Sequence, residues 1–162
     1  MHPLVLFDQA LAAAGVAPRD VAIATVVAVR GSTPRHVGAR MAVAADGAQW
    51  GTIGGGRIEH EVVQLARAVA AGGGGGRHTF HLTRDLAMCC GGTMDVVVAP
   101  AGELGAVAAA LAAAAAARDR ATLVTPLAGT PTRIGAPTCI AGLTDDALVE
   151  HVAPPERAVV FG

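Results

Sequence analysis

Two adjacent cysteines followed by two glycines have the types and spacing best suited to chemistry: Cys89, Cys90, Gly91 and Gly92. A thiolate can attack an electrophile, bind a metal or carry sulfur, and glycines have no side chains to obstruct access to it. Structural zinc sites use paired ligands, and the sequence has no second cysteine pair, so zinc is disfavoured. Free cysteine is also among the most buried residue types, so the segment alone favours two small core residues over a site.

A second candidate is the stretch between Asp20 and Asp46, which contains no acidic residue and is interrupted by glycine and proline. Guanidinium groups fork onto phosphate oxygens, and glycine N–H groups can approach an anion closely. The stretch therefore predicts an anion pocket built from Arg30, Gly31, Ser32, Thr33, Pro34, Arg35 and Arg40. Because exposed arginine is common, solvated strand ends explain the same arginines equally well. Ser32 is the only serine, and no G-x-S-x-G turn frames it.

A third candidate is the triple glycine at positions 54, 55 and 56, just before a predicted helix. N–H groups at a helix N-terminus can hold a phosphate, so Gly54, Gly55 and Gly56 are candidate cofactor-binding residues. A hairpin exit that requires glycine φ angles explains the same residues. The sequence has neither a Walker lysine nor GxGxxG spacing here, so both interpretations stay open.

The elements that must position these residues follow from hydrophobic periodicity and turn signals. Strands are predicted over residues 21–30, 77–82, 93–99 and 121–127, with a β-hairpin over 40–45 and 49–53. Helices are predicted over residues 4–15, 57–71 and 105–117, and the glycines at 72–76 indicate a flexible connector. This order predicts an α/β (mixed α+β) layered domain with a mixed sheet, a hairpin and two or three packed helices.

Composition narrows the classes of function. Hydrophobic residues make up 52% and charged residues 15% of 162 positions, which is typical of one globular domain. The net charge of -1 disfavours nucleic-acid binding. The longest apolar stretch, 106–117, is too short to span a membrane. No export signal opens the chain, and free thiols suit a reducing compartment, so a cytoplasmic location is expected.

The last residues predict a domain boundary. Prolines at 154 and 155 precede the run Val159, Val160, Phe161 and Gly162, which resembles the first strand of a dinucleotide-binding fold. We therefore expect one domain over residues 1–153, followed at 154–162 by a linker and the first strand of a Rossmann-like domain. An ordinary edge strand explains the same run.

Three segments, taken together and in this order, resemble the XdhC/CoxI family of accessory proteins: ATVVAVRGSTPR at 24–35, GTIGGGRIE at 51–59 and MCCGG at 88–92. The resemblance extends over about residues 4–100. The resemblance favours the AVVFG run at 158–162 as the start of a Rossmann domain, because longer members of the family continue into such a domain. One departure is Ala99, which stands before Pro100 where many relatives have an acidic residue.

The resemblance implies an accessory, chaperone-like protein and not an enzyme. Members bind the molybdenum cofactor (molybdopterin), aid its sulfuration with a cysteine desulfurase and deliver it to xanthine dehydrogenase or CO dehydrogenase-type molybdoenzymes. The implied partners are such a client, the desulfurase and a second copy of the chain. The glycine loops would bind the phosphate of the cofactor. Cys90, which matches the family's Cys-Gly-Gly, would handle sulfur or contact molybdenum, with Cys89 secondary and Gly91 and Gly92 beside it.

Two alternatives remain from the sequence. One is an NAD(P)-dependent oxidoreductase whose nucleotide site lies beyond Gly162, so that a full-length form would bind NAD(P). The other is a dimerisation or interaction module, favoured by the high apolar content and by the alanine-rich helix predicted at 105–117.

Overall fold

The computed structural model describes residues 2, 3, 6, 20–102 and 104–154 of the chain. In chain order their strands are β1 (Val21–Arg30), β2 (Arg40–Ala44), β3 (Gln49–Gly51), β4 (Gly76–His81), β5 (Thr93–Pro100), β6 (Ala121–Pro126), β7 (Arg133–Ile134), β8 (Gly142–Leu143) and β9 (Ala147–Val152). Their helices are α1 (Gly56–Ala70), between β3 and β4, and α2 (Leu104–Ala117), between β5 and β6. The strands form sheet A, in the order β3-β2-β1-β5-β4, and sheet B, in the order β7-β6-β9-β8.

Sheet A is built around β1 and β5, whose valine-rich sequences favour strands and are buried over most of their length. The two strands are antiparallel, with a bulge between Val26 and Ala28 and the pair Arg30–Thr93 at one end. The loop after Arg30 (31–39, here the arginine loop) and the loop before Thr93 (82–92, here the cysteine loop) therefore leave the sheet side by side. This pairing brings together two segments that are about 60 residues apart in sequence.

The β2–β3 hairpin turns at Asp46 and Gly47, as the sequence predicts. The Asp46 carboxylate accepts a hydrogen bond of 2.9 Å from the N–H of Ala48, which is the geometry of an Asx turn. Gly47 has a φ of 97°, which glycine adopts without steric cost. The turn fixes the register of β3 against β2, and β3 leads directly to the glycines that precede α1.

Helix α1 covers one face of sheet A. Its apolar residues recur at helical spacing and are buried against that sheet: Ile58, Val62, Ala66, Val69 and Ala70. The helix ends in a Schellman motif, in which the N–H of Gly73 donates to the carbonyl of Ala68 and that of Gly72 to Val69. Gly72 has the required positive φ of 99°. Part of the glycine run 72–76 is therefore a helix cap and not a connector alone.

Sheet B and α2 cover the other face of sheet A. Leu111 of α2 shares a buried cluster with Leu123 of β6 and Ile23 of β1. A smaller cluster joins Leu148 of β9 to Val97 of β5. The described residues thus form three layers, with α1 on one side of sheet A and sheet B with α2 on the other.

The predicted α+β class and hairpin are confirmed, and the two described helices match those predicted at 57–71 and 105–117 within one residue. The prediction of a mixed sheet was wrong, because every strand pairing among the described residues is antiparallel. Parallel neighbours need a long crossover connection. Here α1 instead links the two opposite edge strands of sheet A, β3 and β4, while an 11-residue loop joins β4 to its neighbour β5.

Sheet B was not predicted beyond β6. Strands β7 and β8 have two residues each, too few for a periodic signal. Strand β9 has buried Leu148, Val149 and Val152, and this pattern could have revealed it. Apart from Leu6, the helix predicted at 4–15 lies outside the described residues, and so does the strand predicted at 158–162. The domain boundary and the NAD(P) site therefore stay predictions.

Candidate functional site

The cysteine loop packs directly on the arginine loop. The N–H of Gly92 donates a 3.0 Å hydrogen bond to the carbonyl of Ser32. A Cβ on Gly92 would lie 2.6 Å from the carbonyl oxygen of Arg30 and closer still to that of Ser32. On the other side of this contact, Gly31 has a φ of 70°, and a Cβ there would lie 3.3 Å from the Cα of Gly92. Both positions therefore require glycine because two backbones meet.

The glycine turn before α1 completes the same cluster. A Cβ on Gly54 would lie 2.6 Å from Cγ of Pro34, and Gly54 has a φ of 136°. A Cβ on Gly56 would lie 3.4 Å from Cε of Met88. The structure thus brings the three sequence segments together, although they are distant along the chain.

The N–H groups of this turn are largely used within the protein. The carboxylate of Glu59 accepts 3.1 Å hydrogen bonds from Ile53 and Gly55 and a further one from the Thr52 hydroxyl. The N–H of Gly54 donates to Oγ1 of Thr52 at 3.1 Å. Burial alone would raise the pKa of Glu59, but these hydrogen bonds bring it below its usual value.

The predicted phosphate cradle at Gly54, Gly55 and Gly56 is therefore corrected. The turn already holds an anion, the Glu59 carboxylate, at the positive end of α1. A phosphate placed there would meet a like charge and would find the N–H groups of Gly54 and Gly55 already bonded. Glu59 stands three residues after Gly56 in the sequence, but only the fold shows that its carboxylate reaches back to the glycine turn.

Short-range hydrogen bonds hold the cysteine loop in shape. The Leu82 N–H donates to the Gly92 carbonyl at 3.0 Å, which closes the loop at its base. The hydroxyl of Thr83 lies 3.3 Å from the carbonyl of Met88 and 3.2 Å from that of Cys90. Ala87 has a φ of 50°, which is unusual for a residue with a side chain. The cysteines are therefore presented on a constrained loop.

The two thiols differ in exposure. Cys89 is exposed, whereas Cys90 is half-buried and packs with Met88 against the core under α1. Burial, and next the adjacent Cys89, raise the pKa of Cys90 above its usual value. The interpretation of the cysteines as small core residues thus applies in part to Cys90, whereas Cys89 is exposed to solvent. Among the described residues, no three His, Cys, Asp or Glu side chains are grouped to hold a metal ion. Cys139 is half-buried and lies in the segment between β7 and β8.

Arg40 does not take part in this cluster. Its side chain is 2% exposed, and its guanidinium forms an ion pair with Glu150 of β9. It also donates to the carbonyl of Gly38 at 3.1 Å and to the Thr125 hydroxyl at 3.4 Å. The predicted binding role of Arg40 is therefore replaced by a structural one, because its charge is used between the two sheets.

The remaining residues of the arginine loop are exposed or half-buried. Ser32 and Arg35 are exposed, while Thr33 and Pro34 are half-buried. The Thr33 hydroxyl donates to the Arg35 carbonyl at 3.1 Å, which tightens the loop. The guanidinium of Arg30 is accessible, with a side chain 66% exposed and its Nη2 3.7 Å from Oδ2 of Asp95. The anion pocket predicted here thus retains Arg30 and Arg35 as available positive groups.

Fold and site together define a small α+β domain whose glycine-rich loops present an exposed thiol at one end of an antiparallel sheet. Residues 16–81 match the XdhC and CoxI family, which confirms the resemblance for this part of the chain. The cysteine loop lies beyond the matched residues, and its contact with them comes from the structure.

Individual proteins are also similar to this chain. The Uncharacterized protein YqeB of Escherichia coli (strain K12) is 56% identical over 43 residues, which are 26% of this chain and 8% of that protein. A crystal structure of a xanthine dehydrogenase from Bacillus halodurans superposes with a TM-score of 0.74 at 19% identity. That match covers 96% of this chain and 54% of the other, so the chain corresponds to about half of that structure and shares its fold.

Neither helix of the described residues combines the length and apolar character needed to cross a bilayer.

Proposed function

We propose that this protein is an accessory factor that binds the molybdenum cofactor and helps to sulfurate and insert it into a xanthine dehydrogenase or CO dehydrogenase-type enzyme. The observation that carries the proposal is the meeting of three segments at Gly31, Gly54 and Gly92, beside an exposed Cys89. The family match over residues 16–81 supports an accessory role in general.

The residues present fit such a cofactor in two respects. Thiolate sulfur is a soft ligand suited to a thiophilic metal, and a constrained loop carries two thiols, the half-buried Cys90 and the exposed Cys89. Arg30 and Arg35 offer accessible guanidinium groups for the phosphate of the pterin. When bound, the cofactor supplies the molybdenum centre that the client enzyme uses. The chain's own residues bind it, orient it and offer it a thiol.

The two cysteines have separate tasks in this proposal. Cys90 corresponds to the family motif and is the candidate molybdenum contact, whereas Cys89 is the thiol that a partner protein can reach. A raised pKa keeps Cys90 protonated at neutral pH, so it needs a metal or a positive group nearby to ionise. The proposed partners are a cysteine desulfurase, the client molybdoenzyme and a second copy of this chain, all in the cytoplasm.

Cysteine variants test the thiol role. Wild type, Cys89→Ala, Cys90→Ala and Cys139→Ala would be purified from cells that make the cofactor, and retained cofactor would be read by fluorescence of its oxidised pterin. Cys90→Ala should lose at least about tenfold in retention, equivalent to about 1.4 kcal/mol of binding. Cys139→Ala is the matched control because it lies outside the cluster. Retention at the wild-type level in both Cys89→Ala and Cys90→Ala would contradict the proposal.

A pair of glycine variants tests the meeting of the loops. Gly92→Ala should separate the cysteine and arginine loops, because its Cβ would overlap two carbonyl oxygens, and should lower the free energy of unfolding by about 1–3 kcal/mol. Gly91→Ala is the control, since its nearest neighbouring atom would be 3.9 Å away. We expect cofactor retention to fall in Gly92→Ala alone. Equal retention in the two variants would remove the loop contact from the site.

A further inference from the structure

Arg30, Arg77 and Asp95 form a charged group on the face of sheet A that packs on sheet B. The glycine-rich loops described above do not explain why it is there. Asp95 of β5 has a side chain 1% exposed. Its Oδ2 lies 2.5 Å from Nη2 of Arg77 on β4 and 3.7 Å from Nη2 of Arg30 on β1. Because both contacts share one oxygen, the two guanidinium groups are neighbours above a single buried carboxylate.

The charges of this group do not cancel. Two guanidinium groups carry two positive charges, and Asp95 supplies one negative charge. Burial alone would raise the pKa of Asp95, but Arg77, Thr79 and Arg30 bring it below its usual value, so it is ionised at neutral pH. One net positive charge therefore remains at the surface.

The two arginines also have unused donors. Each guanidinium has five N–H groups, and among the described residues the side-chain hydrogen bonds and ion pairs of Arg30 and Arg77 are those to Asp95. Their side chains are 66% and 38% exposed, so the unused donors face water. Asp95 accepts a hydrogen bond from Arg77 and lies at an ion-pair distance of 3.7 Å from Arg30, and the outer edges of both guanidinium groups stay open to an oxyanion.

The position of the group links it to the site already described. Arg30 is paired with Thr93 across β1 and β5, directly beside Gly31 and Gly92. On β4, Thr79 and His81 stand opposite Asp95 and Thr93, so further polar residues flank the arginines. Arg30 thus lies at the end of sheet A that carries the cysteine loop, and Asp95 lies two residues further in. The backbone of Arg77 is opposite Val97, and its side chain reaches Asp95 from there.

We propose that Arg30 and Arg77, held by Asp95, form a binding site for a phosphomonoester, with Asp95 as the positioning residue. Forked guanidinium groups match the oxygens of a phosphate, and two of them can bind different oxygens of one phosphoryl group. That the ester is the phosphate of the molybdenum cofactor rests on the function proposed above. The site itself is defined by these three residues.

A calorimetric titration of the purified protein with inorganic phosphate tests the site without the cofactor. Wild type should bind phosphate saturably, and Arg77→Gln should weaken the binding at least tenfold. Arg77→Lys should recover little of it, because an ammonium lacks the fork. Arg84→Gln is the matched control, since Arg84 is an exposed arginine paired with Asp85 at 2.8 Å. Acetate should bind more weakly than phosphate.

Three outcomes would overturn the proposal: no saturable phosphate binding by wild type, an equal loss in Arg84→Gln, or full recovery in Arg77→Lys. Thermal melting of each variant shows whether it is folded, and Arg30→Gln provides a second test if Arg77→Gln does not fold. Failure of the proposed function is distinguishable, because it would leave phosphate binding intact while the cysteine variants retained cofactor at the wild-type level.

Discussion

Two arginine–carboxylate groups lie on the same face of sheet A, and they are built in opposite ways. In one, the arginine is inside: Arg40 is 2% exposed and pairs with Glu150, which is 22% exposed. In the other, the carboxylate is inside: Asp95 is 1% exposed beneath the accessible Arg30 and Arg77. The first group joins β2 to β9 of sheet B, and the second extends from the sheet towards solvent.

The difference shows that burial decides what a charged residue is available for. A buried guanidinium must be bonded within the protein, and Arg40 uses Glu150, Gly38 and Thr125 for this. A buried carboxylate instead holds positive groups at the surface, where their other donors remain available. Arg40 therefore contributes to the fold, and Arg30 with Arg77 can contribute to binding.

Removal of each arginine in turn gives the largest expected contrast. Arg40→Met leaves Glu150 without its partner between the sheets, so the free energy of unfolding should fall by about 3 kcal/mol. Arg77→Met leaves the buried Asp95 carboxylate with Arg30 at 3.7 Å as its remaining charged partner, so it should cost about 2 kcal/mol, less than Arg40→Met because Arg77 is itself partly exposed. Urea unfolding of both variants measures the difference.

The double variant Arg40→Met with Glu150→Leu controls for lost packing. Replacement of both partners of a buried pair by apolar residues is often neutral, so the double variant should recover most of the stability lost by Arg40→Met. Equal destabilisation by Arg40→Met and Arg77→Met would contradict the division into a structural and a surface group.

Acid should weaken the group around Asp95. Its pKa in the folded protein is below the ordinary 3.8, so its contribution to stability is present above that value and is lost as the pH falls through the folded-state pKa. Asp95→Asn should therefore be less stable than wild type at pH 7, by about 2 kcal/mol, and the gap should narrow towards pH 3.

Thermal or urea unfolding at several pH values would measure this gap. Glu59 also has a lowered pKa, so some loss of stability in acid should persist in Asp95→Asn. Glu59→Gln separates that contribution, because it should affect the glycine turn and leave phosphate binding unchanged. A constant gap between wild type and Asp95→Asn from pH 7 to pH 3 would show that the carboxylate charge does not stabilise the fold.

Local pattern was sufficient for much of the fold. The turn at Asp46 and Gly47, the apolar face of α1 and the valine-rich β1 and β5 are each encoded within a few consecutive residues. Strand pairing is not encoded locally. Two-residue strands carry no periodicity, and the same strand sequence is compatible with antiparallel and parallel partners. Sheet B beyond β6 and the antiparallel order of sheet A were therefore missed.

The site divides in the same way. The three glycine-rich segments and the cysteine pair could be named from the sequence, because glycine and cysteine in such runs have few ordinary roles. The fates of Arg30 and Arg40 could not be distinguished, since both are arginines at strand ends. Arg77 and Asp95 were overlooked, because each is an isolated charge until the pairing of β4 with β5 sets them on one face.

The sequence by itself determined which residue types could do chemistry here and the elements that carry them. The tertiary structure alone decided which of them meet: Gly92 against the arginine loop, Glu59 across the glycine turn, Arg40 between the sheets and Arg77 over Asp95. The physical reason is that burial and electrostatic partners depend on contacts between distant segments. Those contacts set whether a charge is used inside the protein or offered at its surface.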